Sequence, residues 1–455
     1  MPSKSEIDTK RLSLWHLSWP LAIEMLLQFL MGTLDSLMVS HISDNAVSAV
    51  GLSNQVIQSI MTIFFLINSG AGVVVARKWG AGKRDEARKT VFMTLKLNVY
   101  GGIVMSLILY AAAEPIIRMM NAPGEVHDYA VTYLRVVGAG MFVTLLHLSA
   151  SAVIRSTGNT RGPMLISVGM NLIHLGSNSV LIFGFMGFPE LGILGVSIST
   201  VASRSVALLC CLWLLYQIMK PGLRWTHWKG IDRPLLKEML SIGVPSIFTS
   251  FSWGISQIVV LSIVSSLGET QLASYTYMNV IQQLPWVIGS AVGAAVQIQV
   301  SQYYGAGRHD LVYPCPYHGA RVGMAVSFLG ALAAWASAPV SMGWFTSSQA
   351  VIETALPVFA FCLVWQPLRI WTYTLTNALN SIGEARFVAV ISVLGMWLTT
   401  TAGAYLLGIA AGWGIYGVFG AFMIDELFRA ILAWKRWQRK GLLTSRNQTP
   451  AILEA

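Results

Sequence analysis

Apolar residues run through the whole chain in stretches long enough to cross a bilayer, broken only by short polar segments. A hydrocarbon core of about 30 Å takes ~20 helical residues. Twelve such spans are predicted, near 13–40, 46–76, 90–113, 127–154, 162–186, 192–219, 237–267, 270–303, 318–340, 351–379, 385–408 and 413–435. Several are longer than a straight crossing needs, so tilt or extension into the interface is expected. Residues 1–11 are polar, and the apolar run after them is too long for a cleaved signal and has no small-residue cleavage pattern. The first helix is therefore expected to stay as an anchor. The pattern predicts an all-α polytopic membrane protein.

Composition agrees. Hydrophobic residues make up 55% of the chain and charged ones 11%, against about 25% charged in soluble domains. The net charge of +10 would fit a nucleic-acid partner, but its distribution does not. One set of loops holds Arg77, Lys78, Lys83, Arg84, Arg88, Lys89, Arg155, Arg161, Lys220, Arg224, Lys229, Arg233, Lys237, Arg308 and Arg386, and the tails add more. The alternate loops carry Arg118 with Asp44, Glu114, Glu125, Asp128, Glu190, Glu269 and Glu353. By the positive-inside rule both termini and the basic loops are expected in the cytoplasm. An even span count agrees, and no nucleic-acid partner is needed. Cys210, Cys211, Cys315 and Cys362 show no metal spacing and read as small packing residues.

One offset of 225 residues relates the two halves. It takes Pro20 to Pro245, Asn54 to Asn279, Gln58 to Gln283, and Trp79-Gly80-Ala81-Gly82-Lys83 to Tyr304-Gly305-Ala306-Gly307-Arg308. Ser156 and Gly158 map to Ser381 and Gly383, Gly192 and Gly195 to Gly417 and Gly420, and Arg204 to Arg429. Clustered matches at one ungapped offset indicate duplication. Six spans per half make the repeat parallel. The expected organisation is a tail at 1–12, a first lobe at 13–219, a basic linker at 220–236, a second lobe at 237–435 and a tail at 436–455. The two six-helix bundles are expected to face each other across a central cavity.

Two parallel six-helix halves also describe the major facilitator superfamily, whose loop motif differs from the one here. The Trp-Gly-Ala-Gly-Lys-Arg-Asp run at 79–85, its copy at 304–307, Trp19-Pro20-Leu21, Asp35, Arg155-Ser156-Thr157-Gly158-Asn159-Thr160 and the Gly-rich start of span 6 resemble the multidrug and toxic compound extrusion (MATE) family. The resemblance covers nearly the whole chain. It implies secondary transport, with no cofactor and no catalytic residues.

Charges inside a membrane are costly and point to function. Asp35 lies roughly 8 Å inside the outer end of span 1, Asn178 about 13 Å from the outer end of span 5, and Thr200 about 12 Å into span 6. Asn171, His174 and Asn178 share one face of span 5. In the resembled family an acid of helix 1, polar groups of helix 5 and a Thr of helix 6 form a cation site. By resemblance these are Asp35, Asn178 and Thr200. His174 stands where many members have Asn, which weakens a sodium reading and adds a group that titrates near neutrality. A satisfied core histidine is the competing reading. The acids that some members carry on helices 7 and 10 are missing near Ser256-Gln257 and Thr372–Asn377, as in the DinF-like branch. Opposite Asp35, His174 and Asn178 the offset gives Val260, Thr399 and Gly403. The ion chemistry is therefore expected in the first half alone.

Arg204, Asp425 and Arg429 read as a structural polar network, with Glu426 adjacent, and Glu24 and Arg369 stay unassigned. Met31, Met38, Asn54, Trp253, Met278, Asn279, Gln283 and Trp286 are candidates to line the cavity. The expected protein is an antiporter of the bacterial inner membrane, acting as a monomer. It expels small amphipathic or cationic organic compounds in exchange for H+, with Na+ at Asp35, Asn178 and Thr200 as the alternative. A flippase for lipid-linked saccharides is a second reading, although it would want a more cationic cavity. A membrane enzyme or a receptor is a third, and no nucleophile, metal spacing or paired acids support an enzyme.

Overall fold

The structure is a computed structural model and describes residues 12–184, 187, 189–220 and 232–448. Most of the predicted linker and both chain ends lie outside the described residues.

Helices α1 (Leu14–Ser40), α2 (Asp44–Gly80), α3 (Arg84–Met119), α4 (Gly124–Ala139), α5 (Met141–Ser156), α6 (Arg161–Phe183) and α7 (Gly192–Met219) come from the first half. Helices α8 (Arg233–Ser266), α9 (Glu269–Gly305), α10 (His309–Val312), α11 (Cys315–Ala336), α12 (Ala338–Gly343), α13 (Gln349–Ser381), α14 (Ala385–Leu394) and α15 (Gly414–Gln448) come from the second. Two π-helical segments, Gly395–Thr401 and Ala404–Ala410, continue α14. No strand occurs among the described residues. Among the described residues ten helices are long and apolar enough to cross a membrane, or eleven spans if the bent pair α4 and α5 counts as one. The protein is an all-α polytopic membrane protein.

Two differences from the expected spans have physical causes. The span near 127–154 is two helices bent by 50°. Gly140 sits at the break, and a methyl group there would press on the side chain of Val201. The expected twelfth span falls in α15, which is not among the apolar helices. Asp425, Glu426 and Arg429 crowd its first half and lower its hydropathy.

The chain divides into two compact units, and the division does not follow the midpoint. One unit is Ile23–Trp79 with Lys83–Gly243, and the other is Met1–Ala22, Gly80–Gly82 and Val244–Ala455. The beginnings of α1 and α8 thus each belong with the opposite half. Both breaks fall close to the repeat-related prolines Pro20 and Pro245, each inside its helix. Proline removes a backbone hydrogen bond and crowds the preceding turn, so both helices carry a natural point of bending.

Each unit has its own core. In the first, Val50, Leu109, Leu134, Met141 and Val196 pack together. In the second, Val260, Met278, Phe359, Val418 and Phe419 do so. Leu107, Leu172, Leu209 and Ile258 are each at least 65% exposed, an arrangement that suits a lipid surrounding rather than water. The duplication is visible in the backbone too. Gly82 and Gly307 have φ of 71° and 70°, and Gly158 and Gly383 have 95° and 93°. These left-handed conformations favour glycine, which explains why the glycine loops survive in both halves.

One ion cluster outside the spans fixes the end of α15. Glu384, just before α14, accepts from Arg436 Nη2 at 2.7 Å and pairs with Lys440 Nζ at 2.5 Å. Burial alone would raise this carboxyl, but the bonds from Lys440 and Arg436 outweigh it and hold the pKa below its ordinary 4.5. The stability it contributes is complete above that value and disappears as pH falls through the lowered pKa. Glu384→Gln should therefore reduce the melting temperature in detergent at neutral pH, and the gap from wild type should close well below pH 4.5.

Candidate functional site

The site is built on three helices of the first-half unit. In α6, His174 and Asn178 are one turn apart and share a buried face. Hydroxyl bonds fix that face against α7. Ser199 Oγ donates to the His174 carbonyl at 3.2 Å, and Ser177 and Ser199 hydroxyls meet at 2.6 Å. Asp35 enters from α1. Its Oδ1 accepts from Asn178 Nδ2 at 3.3 Å and lies 3.4 Å from His174 Nδ1. Asn178 Nδ2 also contacts Met38 Sδ at 3.9 Å.

The proton inventory of this cluster is informative. Thr200 Oγ1 is 2.9 Å from the Val196 carbonyl, which can only accept, so the Thr200 proton goes there. With the Thr200 proton on that carbonyl, His174 Nε2, 3.2 Å from the same Oγ1, is the donor of their contact. In neutral His174 this leaves Nδ1 without a proton, and Nδ1 is the atom turned toward Asp35. Nδ1 is buried and has no hydrogen-bond partner among the described residues. The contact to Asp35 thus has ion-pair distance without hydrogen-bond geometry. Two acceptors face each other across a gap that one proton would bridge. Arg204, one turn beyond Thr200, donates to Thr144 Oγ1 at 3.0 Å and acts on Asp35 and His174 through space.

The sequence-derived residues fare unevenly. Asp35, His174 and Asn178 come together directly, and Thr200 joins through His174. Asn171 is on the same helix, but its Oδ1 is buried and makes no hydrogen bond among the described residues. In the second-half unit Met278 is fully buried in the core, which does not fit a cavity-lining residue. Asn54, Trp253 and Gln283 are exposed, and Met31, Met38, Asn279 and Trp286 are half-buried. Arg204 belongs to the first-half unit, and Asp425 and Arg429 to the second. Arg429 Nη2 meets Asp425 Oδ2 at 2.5 Å and Glu426 Oε1 at 2.7 Å.

Sequence reading passed over a second polar cluster in the first-half unit. Glu24 of α1 accepts from Arg155 Nη1 at 2.6 Å and from Ser151 Oγ at 3.3 Å. His147, on the same helix as Ser151, is buried between Arg204 and Arg155 in electrostatic terms. The signal was present. Glu24 and Asp35 are three helical turns apart, so they share a face of α1.

Two stretches of the chain, 20–180 and 245–406, each match the MatE family model. The chain belongs to the MATE family. Its members are transporters, so this chain is a transporter and not an enzyme. The two matched stretches begin at Pro20 and Pro245, the same repeat partners found from sequence. Among curated MATE relatives, the chain is 30% identical to the uncharacterized transporter YisQ of Bacillus subtilis over 95% of both chains. It is 25% identical to a probable multidrug resistance protein NorM of Thermotoga maritima, over 97% of this chain and 96% of the other. A crystal structure of MATE in the bent conformation superposes with a TM-score of 0.86 at 20% identity, covering 95% of this chain and 96% of that one. This last likeness concerns the fold.

Proposed function

We propose that this MATE transporter is a proton-coupled antiporter that expels small amphipathic, cationic organic compounds, with Asp35 as the exchange point. The observation that carries the reading is the pair of facing acceptors, Asp35 Oδ1 and His174 Nδ1, at 3.4 Å. A bare imidazole nitrogen beside a carboxylate is a place for one proton, and imidazole is a poorer sodium ligand than an oxygen. With the site deprotonated, the carboxylate attracts a cationic substrate. A proton arriving from outside neutralises it, and the substrate loses its counter-charge and leaves. Bending of α1 at Pro20 couples this change to alternating access of the two lobes. The multidrug resistance name of the Thermotoga maritima relative supports this substrate class. The basic loops support cytoplasmic termini in a bacterial inner membrane, and one chain supplies every residue of the site.

The test is transport in vesicles of the purified protein. An imposed pH gradient should drive substrate against its own gradient, and a sodium gradient at equal pH should not. Transport driven by sodium alone would contradict the reading.

A further inference from the structure

The repeat that relates the halves also relates their polar centres. The same offset that takes Arg204 to Arg429 takes Thr200 to Asp425, His174 to Thr399 and Thr144 to Arg369. The structure repeats the contact as well. His174 touches Thr200 at 3.2 Å in the first half, and Thr399 Oγ1, which also meets the Gly395 carbonyl, lies 2.8 Å from Asp425 Oδ1 in the second. Asp35 has no acidic partner at Val260, which is buried in the core. The buried acids of this cluster lie on α15 instead. The second-half site therefore holds two carboxylates, Asp425 and Glu426, where the first half has Thr200 and Val201.

Four observations make this more than a structural ion pair. Asp425 and Glu426 are 3% and 5% exposed, at a depth where a charge is costly. Asp425 has partners at both oxygens: Oδ1 shares the single Thr399 hydroxyl proton with the Gly395 carbonyl, and Oδ2 accepts from Arg429 Nε and Nη2. Glu426 does not. Its Oε1 binds Arg429, and its Oε2 is buried with no hydrogen-bond partner among the described residues. Finally, a π-helical segment, Gly395–Thr401, carries Thr399, and such segments are frequent at functional sites. Gly395 opens the segment, and a methyl group there would collide with Asp425 Oδ1.

We propose that Glu426 is a second proton-binding site, the second half's counterpart of the Asp35–His174 pair. Its Oε2 takes one proton as an O–H, and the cluster gains one positive charge. The groups around it are Asp425 and Arg429 on α15 and Arg369 on α13. Cys362 and Tyr275 lie within the field of Arg369. Arg369 stacks on Trp286 at 3.7 Å and lies 5.2 Å from the Trp365 ring, so it stays charged beside Glu426 in either state. Two acids balance two guanidiniums when Glu426 is ionised. On protonation Arg429 keeps Asp425, and Arg369 loses its counter-charge. The cluster therefore has two distinct electrostatic states, as a coupling site requires.

The inference rests on the proton-coupled reading above, and its test separates the two. Vesicles containing the transporter are held at zero membrane potential with fixed pH gradients, and the substrate gradient at equilibrium is measured. Exchange of two protons per substrate lets that gradient reach about 100-fold per pH unit, and exchange of one about tenfold. Wild type should follow the steeper law, Glu426→Gln the shallower one, and Glu426→Asp should restore the steeper. A wild-type slope of about tenfold overturns the second site, as does an unchanged slope in Glu426→Gln. A substrate gradient indifferent to pH in wild type overturns the proton-coupled reading instead. A shallow wild-type slope overturns the second site even if the variants fail to fold.

Discussion

Asp35→Asn should reduce efflux to the background of cells lacking the transporter, with the amount of folded protein in the membrane unchanged. The reason is local. Asparagine has the shape of aspartate but neither titrates nor carries charge, so the exchange of substrate for proton loses its chemistry. The fold should tolerate it. The amide introduced by the substitution can donate to the His174 nitrogen that faces Asp35 without a proton, and its oxygen can accept from Asn178. Drug-susceptibility assays beside size-exclusion profiles check both halves of the expectation. Resistance retained at the wild-type level in cells expressing Asp35→Asn would remove Asp35 from the mechanism.

Glu24→Ala should act differently, by lowering stability. Glu24 is nearly buried, and Arg155 is its close partner at 2.6 Å. Removing one member of a buried pair leaves the other charge uncompensated, at a typical cost of about 3–5 kcal/mol. Most small domains have only about 5–15 kcal/mol in total, so a large loss of detergent stability is expected. Replacing both members, as in Glu24→Met with Arg155→Met, should recover much of it, because apolar packing substitutes well for a buried pair. A double variant as unstable as the single one would show that Arg155 has another essential partner.

The contrast between these two acids shows what the sequence disclosed. Asp35, His174, Asn178 and Thr200 were legible because the membrane sets a depth scale. Counting residues from the span ends puts them at one level, and helical spacing puts two on one face. The duplication was legible because loops with glycine at positive φ tolerate little change. Glu24 was harder, because its meaning depends on which helix packs against α1, and periodicity does not name a partner. The bend at Gly140 was hidden for the same reason, since it is set by Val201 on another helix.

The second-half cluster was less legible for a different reason. Opposite Asp35, His174 and Asn178 the repeat offers Val260, Thr399 and Gly403, and the half reads as empty of ion chemistry. The offset from Thr200 leads to Asp425, but Asp425 and Arg429 also satisfy the ordinary spacing of a surface ion pair. Only the structure finds Glu426 with one idle oxygen and places Thr399 on a π-helical turn beside Asp425.

The central claim is that substrate and proton compete at Asp35. The most direct measurement is the affinity of purified transporter for a cationic substrate as a function of pH. In wild type the dissociation constant should rise by at least about tenfold for each unit of pH below the pKa of the site. Asp35→Asn should bind weakly, with that steep rise reduced by a factor of about ten per unit. Wild-type affinity that stays constant as the solution is acidified, or an Asp35→Asn protein with the full wild-type pH dependence, would contradict the account.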